Sequence, residues 1–453
     1  MPVRDYVYYD NTVSLCPVCL KRIDAKIIIR DGKVFMQKHC SEHGAYKVLL
    51  AADVDYYRNT RNYNKASDMP LLFNTEVEKG CPFDCGLCTD HEQHTCLCIV
   101  EVTDNCNLAC PTCYAASSPQ GLHRSLGEIE RMLDIIVANE GEPAVVQISG
   151  GEPTLHPRFF EILDMAKSKP VKHLMVNTNG LRIAQEEGFA ERLAAYMPDF
   201  ELYLQFDSFR PEAIKKLRGA DLLDMKMKAL EILNKLNLST TLVATLEQGL
   251  NDGEIGTLLD FAVKQKCVRG ITFQPIQQAG RNHPDSLNHR LTLTEVRNGV
   301  LAQSGLFNEN DIIPVPCHPD ALAMGYALKL GEEVIPLTRY INPKELLSAN
   351  SKNTIVYEQD TFLQNKLLEI FSAGISADRA SGPVNSLLCC LPQVCAPGLQ
   401  YDNLFRVIIM QFIDAYNFDV RAVKKSCVHI VSPDGRLIPF ETMNLLYRNR
   451  QIN

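Results

Sequence analysis

Thr103-Asp104-Asn105-Cys106-Asn107-Leu108-Ala109-Cys110-Pro111-Thr112-Cys113-Tyr114 is the stretch whose reading decides the fold of this chain. It directly follows a strand candidate, Cys98–Thr103, and its thiols have the spacing C-x3-C-x2-C. A cubane iron–sulfur cluster has four iron corners, and ferredoxin-type clusters fill all four with cysteine. Three ligands leave one corner open, and an open coordination position marks a reactive metal centre rather than a structural one. Cys106, Cys110 and Cys113 are therefore the candidate catalytic thiols, with a zinc knuckle as the alternative that the spacing alone leaves open.

Working outward, Ala144–Ser149, His173–Asn177, Glu201–Gln205, Thr240–Leu246 and Gly270–Phe273 read as further strands. Between them run stretches with apolar residues at i, i+3, i+4 spacing: Leu126–Ala138, Pro157–Lys167, Ala184–Ala195, Leu222–Leu236 and Glu254–Lys264. Six strands alternating with helices predict parallel βαβ units, right-handed crossovers and a curved parallel sheet. The fold class is α/β. In such sheets chemistry collects at the carboxyl ends of the strands. The cysteine loop falls there, and so does Gln147-Ile148-Ser149-Gly150-Gly151-Glu152-Pro153. Two glycines let backbone approach a ligand closely; the bland reading is a glycine turn with a capping glutamate. Asn177 and Asp207 follow the third and fourth strands as site candidates, or equally as helix N-caps. Gln274 is a weaker candidate at the sixth strand end.

Of 17 cysteines, eleven lie within the first 113 residues, and four more lie between Cys389 and Cys427. The N-terminus has no continuous apolar stretch of signal-peptide type, and no run approaches the ~20 apolar residues that span a bilayer. A cytoplasmic protein is expected, where clustered thiols point to metal rather than to disulfides. Net charge is −8 with 46% hydrophobic and 22% charged residues, a soluble globular balance with no global pull toward nucleic acid.

Four regions are expected: residues 1–72, 73–97, 98–290 and 291–453. In the first, Cys16, Cys19, Cys40 and His43 read as a tetrahedral zinc or rubredoxin-like iron site. In the second, Cys81, Cys85 and Cys88 repeat the C-x3-C-x2-C spacing. Cys96 or Cys98 could close the set, and Cys96 is preferred because it precedes the strand. Four cysteines would make this a closed auxiliary cluster. In the last region, Cys317, Cys389, Cys390, Cys395 and Cys427 could assemble a further cluster, with core thiols as the plain alternative. Residues 286–310 and 342–353 look loop-rich. His429–Phe440 reads as a hairpin around Pro433-Asp434-Gly435.

With its cysteine loop and a GGEP strand end one βα unit later, the chain resembles the radical S-adenosylmethionine (SAM) superfamily. The resemblance implies a partial (βα)6 TIM-like barrel, with an α+β C-terminal auxiliary domain. It also implies that the open iron chelates the amino and carboxylate groups of SAM, whose reductive cleavage releases a 5′-deoxyadenosyl radical. Gly150, Gly151, Glu152 and Pro153 would bind the methionine part, Tyr114 would lie beside adenine, and Asn177 and Asp207 would contact ribose, carboxylate or substrate. The same triplet spacing at Cys81–Cys88 lacks a following GGE.

Two longer patterns narrow the likeness. One is C-x2-C…C-x2-HG, then GCPFDCGLC…HEQHTCL, running into EVTDNCNLACPTCYA; the other is CVHIVSPDGRLIPF. Together they resemble the tetraether lipid synthase and hydropterin-methylating group of radical SAM enzymes. That resemblance implies a mononuclear metal, the SAM cluster and one or two auxiliary [4Fe–4S] clusters. It also implies C–C bond formation at unactivated carbon: lipid-chain coupling first, methylation of a pterin-like heterocycle as the alternative. One departure is Glu441, where tetraether-type members often carry cysteine. Expected partners are a small-molecule or lipid substrate and a reduced flavodoxin or ferredoxin-type donor, with peripheral membrane contact for a lipid. A non-catalytic electron carrier is the distant alternative, disfavoured by the open triplet; a zinc-finger-like nucleic-acid binder lacks the basic face it would need.

Overall fold

In the computed structural model, residues 4–63, 68–281, 290–330, 333–339, 341–342 and 403–448 are described. Strands β1 (Val7–Leu15), β2 (Arg22–Arg30), β3 (Lys33–Cys40) and β4 (Gly44–Ala51) form an antiparallel meander in sequence order. Its small core comprises Ala25, Ile27, Ile29, Val34, Met36 and Ala51. A metal staple is the usual supplement for a core of this size. The β1–β2 and β3–β4 turns lie at one end and carry Cys16, Cys19, Cys40 and His43. The buried Lys38 anchors the meander: its Nζ donates to Ser14 Oγ (3.0 Å), to the Leu15 carbonyl (2.8 Å) and to the distant Ala415 carbonyl (2.7 Å). The short helix α1 (Val54–Asn59), capped by Asp53, leads away from it.

The barrel strands are β5 (Leu97–Thr103), β6 (Val145–Gly150), β7 (His173–Thr178), β8 (Phe200–Gln205), β9 (Thr240–Leu246) and β10 (Val268–Pro275). They pair in sequence order, all parallel. All six expected strands are present. Buried on both faces, parallel strands read as apolar runs rather than as alternation. The connecting helices are α2 (Leu126–Glu140), α3 (Phe159–Lys167), α4 (Leu181–Gln185), α5 (Phe189–Ala194), α6 (Pro211–Arg218), α7 (Leu223–Leu236) and α8 (Ile255–Lys264). Their apolar faces, through Ile129, Leu133, Ile162, Leu230 and Leu259, join Val100, Ile148, Val176, Leu204 and Phe273 of the strands in one core.

Two local expectations change. The single helix expected over Ala184–Ala195 is two, α4 and α5, parted at Gly188 (φ +75°), a conformation that glycine adopts without strain. The loop expected over 286–310 contains α9 (Leu293–Gln303). Its start is a capping box: Glu295 N–H donates to Thr292 Oγ1 (3.2 Å) while the Glu295 carboxylate accepts from Thr292 N–H (2.8 Å).

The chain after α9 adds β11 (Ile312–Pro314), β12 (Leu322–Leu330), β13 (Glu333–Pro336), β14 (Leu404–Met410), β15 (Val428–Val431) and β16 (Leu437–Pro439). The expected hairpin is present as β15–β16. The late strands extend the barrel sheet itself. β14 pairs parallel with β10, and β15 pairs parallel with β5, so the C-terminal region flanks the six-stranded run on both edges. Buried Glu201 on β8 reinforces the first edge by pairing with Arg406 on β14, 2.8 and 3.0 Å from Nη2 to the two carboxylate oxygens.

Candidate active site and metal centres

Every second residue of a strand faces the same side, and the concave side of this sheet is a cavity. Tyr203 and Gln205 of β8, with Val243 and Thr245 of β9, show that period at its wall. Cys106, Cys110 and Cys113 all line it. The loop carrying them is pinned from three sides. Cys106 N–H donates to the Ser118 carbonyl (3.0 Å), Thr112 Oγ1 donates to the Leu217 carbonyl (2.9 Å), and Arg281 Nε donates to the Cys110 carbonyl (2.9 Å).

Gly150 and Gly151 also line the cavity, and their lack of a side chain is needed. A Cβ on Gly150 (φ +128°) would lie 2.2 Å from the Thr103 carbonyl oxygen, and one on Gly151 2.2 Å from that of Asn105. The strand end is thus pressed against the cysteine loop, with Gly151 N–H donating to Thr103 O (2.7 Å) and Glu152 N–H to Asn105 O (2.8 Å). Glu152 itself turns inward. It is 1% exposed and accepts from Thr154 Oγ1 (2.6 Å), Thr178 Oγ1 (2.8 Å) and Asn179 N–H (2.7 Å), which ties the ends of β6 and β7 together. Burial pushes its carboxyl up despite those bonds. Pro153 opens the following 3-10 turn and is buried.

Asn177 faces the cavity and donates to Ser149 Oγ (3.3 Å). Asp207 does not line it. Its carboxylate holds Arg218 at two points, and Arg218 is the side chain that reaches the cavity. Sequence reading missed Arg218, because a basic residue in the last turn of a helix is ordinarily a partner for the helix dipole. Tyr114 lines the cavity as expected and packs edge-on against Phe440 (5.0 Å), which stacks on Phe412 (3.9 Å). Gln274 is there too, its Nε2 donating to Tyr203 OH (3.1 Å). Gln147 and Gln205 complete a floor of amides that sequence reading did not single out.

The two N-terminal turns bring a second donor set together. Cys19 Sγ lies 3.9 Å from Cys40 Sγ, and His43 Nδ1 lies 3.6 Å from Cys16 Sγ and 3.5 Å from Cys40 Sγ. Burial raises the Cys16 thiol, but backbone N–H groups of Cys19 and Val18 outweigh it and bring it down to about 6.

Residues 100–262 match the model of the radical SAM superfamily, and residues 8–52 match that of the HMPTM N-terminal zinc ribbon domain. A 7,8-dihydro-6-hydroxymethylpterin dimethyltransferase of Methanocaldococcus jannaschii is 31% identical over 97% of this chain and 94% of its own length. This chain belongs to the radical SAM superfamily. A probable GTP 3',8-cyclase of Thermococcus kodakarensis is 30% identical over 36% of this chain and 52% of that protein. Among solved structures, Streptococcus suis SuiB superposes with a TM-score of 0.37 at 18% identity, covering 46% of this chain and 45% of that one.

The donor sets suit the groups a radical SAM enzyme of this kind uses. Burial, followed by Glu152 and the neighbouring thiols, pushes the Cys106 thiol up to about 12; burial likewise raises Cys110, with Arg218 opposing it. A multivalent cation beside Cys106 and Cys110 would offset that burial and hold them as thiolates. The SAM-binding [4Fe–4S] cluster fits them. The ribbon's three sulfurs and one nitrogen fit a tetrahedral zinc.

The auxiliary cysteines sort differently from the expectation. Cys96 leaves the Cys81–Cys85–Cys88 loop and joins Cys317 and Cys427 instead, the three sulfurs lying within 4.8 Å of one another. The physical reason is pairing: Cys96 and Leu97 N–H both donate to the Cys427 carbonyl (2.9 and 3.1 Å), which aligns the start of β5 with the start of β15. Cys98 points into the barrel core. The Cys81–Cys88 loop is held by the C-terminal segment: Thr442 Oγ1 donates to Cys85 Sγ (3.0 Å), and Tyr447 OH accepts from Cys85 N–H (2.8 Å). Glu441 is buried, its carboxylate accepting from Ser426 Oγ (2.8 Å). Cys389, Cys390 and Cys395 lie outside the described residues. Among the described residues no helix is long and apolar enough to cross a membrane.

Proposed function

We propose that this radical SAM enzyme methylates a pterin-like nitrogen heterocycle. The observation that carries the reading is the amide floor beside the cluster thiols: Gln147, Asn177, Gln205 and Gln274, with Tyr203 and Thr245. Each primary amide offers one carbonyl acceptor and two N–H donors in a plane, which suits a ring edge of alternating donors and acceptors. Gln205 Oε1 is buried with no hydrogen-bond partner among the described residues, as an acceptor awaiting a ligand donor would be. A lipid chain laid across this floor would leave such groups unpaired, at about 1–3 kcal/mol each. Coupling of lipid chains, the first expectation, therefore gives way to its alternative. The M. jannaschii relative, whose name specifies a hydroxymethyl dihydropterin, supports the same choice.

When bound, the cluster and one SAM would supply the reducing electron and the carbon radical that removes a substrate hydrogen; a second SAM would supply the methyl group and leave as S-adenosylhomocysteine, with a further electron from the same donor closing the balance. The protein's part is positional. Cys106, Cys110 and Cys113 hold the cluster, while Gly150 and Gly151 keep the β6 strand end against its loop. Arg218 offers its charge to the SAM carboxylate. Tyr114, Phe412 and Phe440 give the cavity an apolar wall that excludes water. A reduced flavodoxin or ferredoxin-type protein is the proposed electron source.

The test is anaerobic incubation of the reconstituted enzyme with a strong reductant, SAM and either 7,8-dihydro-6-hydroxymethylpterin or an archaeal-type diether lipid. A methylated pterin formed together with 5′-deoxyadenosine supports the reading. Consumption of the diether with an inert pterin would overturn it, and absence of 5′-deoxyadenosine with both would point to an electron carrier.

A further inference from the structure

Two charged side chains line the cavity, Arg218 and Arg281, and among the described residues no carboxylate lines it. The two arginines differ in how their charge is met. Arg218 is neutralised by Asp207, 2.6 Å away. Arg281 meets only neutral acceptors: Nε donates to the Cys110 carbonyl (2.9 Å) and Nη1 to the Ser117 carbonyl (2.7 Å). Its Nη2 is buried with no hydrogen-bond partner among the described residues. A charged group drawn out of water is ordinarily paired with its opposite, because neutral partners do not replace the hydration it gives up.

The backbone fixes Arg281 in this place. Its N–H donates to the Cys113 carbonyl (3.0 Å), and a Cβ on Gly280 (φ +60°) would lie 2.2 Å from the Cys113 oxygen and 2.3 Å from that of Tyr114. Arg281 also lies beyond the carboxyl end of β10, the side of a parallel barrel on which ligands bind. Gln147, Asn177, Gln205 and Gln274 lie in the strands themselves. The cavity therefore offers planar amides from its strands and a cation from beyond their ends. The groups already assigned to it leave that cation unmet. A cubane on three thiolates is an anion, and SAM is a net cation because its sulfonium and ammonium outnumber its carboxylate, so the two offset one another. We infer that the substrate carries the missing negative charge: the heterocycle is bound as a phosphate ester, its ring on the amide floor and its phosphate on Arg281. This rests on the heterocycle reading above and adds the class of its substituent. A hydroxymethyl group on such a ring acquires negative charge as a phosphate ester, and a guanidinium meets phosphate through paired, charge-assisted hydrogen bonds. The ester is a handle, neither formed nor broken in the methylation.

The experiment measures binding to the reconstituted, unreduced enzyme with SAM present, so no turnover is needed. The probes are 7,8-dihydro-6-hydroxymethylpterin, its phosphate monoester and its diphosphate. At least one ester is expected to bind roughly ten- to hundredfold tighter than the alcohol, and the preference should shrink as salt rises. Which ester binds tighter reports the size of the anion. Arg281→Gln should abolish the preference, with iron and sulfide measured alongside. Should that variant lose its cluster, Arg281→Lys, which keeps the charge without the planar fork, should retain a reduced preference. A residue that merely clamps the cysteine loop would weaken all three probes alike. Equal affinity for the alcohol and both esters in the parent overturns the inference, and so does a preference that either variant leaves unchanged. Binding and methylation of the alcohol alone would sink the phosphate and spare the heterocycle, whereas no binding of any probe would sink both.

Discussion

Asp207 holds the Arg218 guanidinium through two hydrogen bonds, Nε to Oδ2 at 2.7 Å and Nη2 to Oδ1 at 2.6 Å, with both side chains buried. Arg218 also donates to Thr245 Oγ1 (2.9 Å), so its plane is fixed where it enters the cavity beside Cys110. A preorganised guanidinium is a strong partner for a carboxylate. Arg218→Lys is expected to weaken SAM binding roughly 10- to 100-fold, the loss of charge-assisted bonds of about 1.5–3 kcal/mol. Equilibrium dialysis with reconstituted protein checks it. Asp207→Asn should weaken binding too and should destabilise the fold by about 3–5 kcal/mol, because it leaves a buried charge unpaired. Unchanged SAM affinity in both variants would remove Arg218 from the site.

Gly151 has no room for a side chain. Gly151→Ala would place Cβ 2.2 Å from the Asn105 carbonyl, and backbone there cannot give way cheaply. The expected result is loss of iron and sulfide from the SAM cluster, with the ribbon metal retained. Metal analysis of anaerobically purified protein is the check.

The barrel was legible because its six strands are buried on both faces, so each appears as a short apolar run between helical patterns. The hairpin over His429–Phe440 was legible from its turn residues. What escaped sequence reading depends on distance along the chain. Cys96, Cys317 and Cys427 meet only because β15 docks beside β5, and nothing local to Cys96 distinguishes that from joining Cys88. Arg218 owes its role to Asp207 on a different element. Glu152 accepts from Thr154, Thr178 and Asn179, partners on the following turn and the next strand end that no local pattern announces. The helix α9 is a different failure: Thr292-Leu293-Thr294-Glu295 is a capping-box signal that the polar residues before it obscured.

Glu201 makes the fold sensitive to acid. Burial would raise its carboxyl, but Arg406 and then His173 outweigh that and bring it from 4.5 down to about 2. A carboxyl depressed by folding stabilises the native state fully above its unfolded value and loses that contribution as pH falls through the folded value. The window is therefore from 4.5 down to about 2. Glu201→Gln should be less stable than the parent at about pH 6, and the gap should narrow by about pH 3. Urea midpoints at the two pH values measure it, and a gap that stays constant would contradict the assignment.

Removing the ribbon metal should have a local effect first. The four ligands lie on two turns of one small sheet whose apolar core is slight. A zinc chelator is expected to raise hydrogen exchange across β1–β4 and at Lys38, while the visible absorption of the iron–sulfur clusters persists. Exchange that rose equally in β5–β10 would mean that the ribbon folds as one unit with the barrel.

The most direct measurement follows hydrogen itself. The reconstituted enzyme is given SAM, a reductant and 7,8-dihydro-6-hydroxymethylpterin deuterated at carbon, and the 5′-deoxyadenosine formed is analysed by mass spectrometry. Deuterium in the 5′-deoxyadenosine, absent when Cys110→Ala is used, is the expected result. Methylated pterin accompanied by 5′-deoxyadenosine free of deuterium, or label transfer that persists in Cys110→Ala, would contradict the proposal that an open-corner cluster beside the amide floor takes hydrogen from a heterocycle.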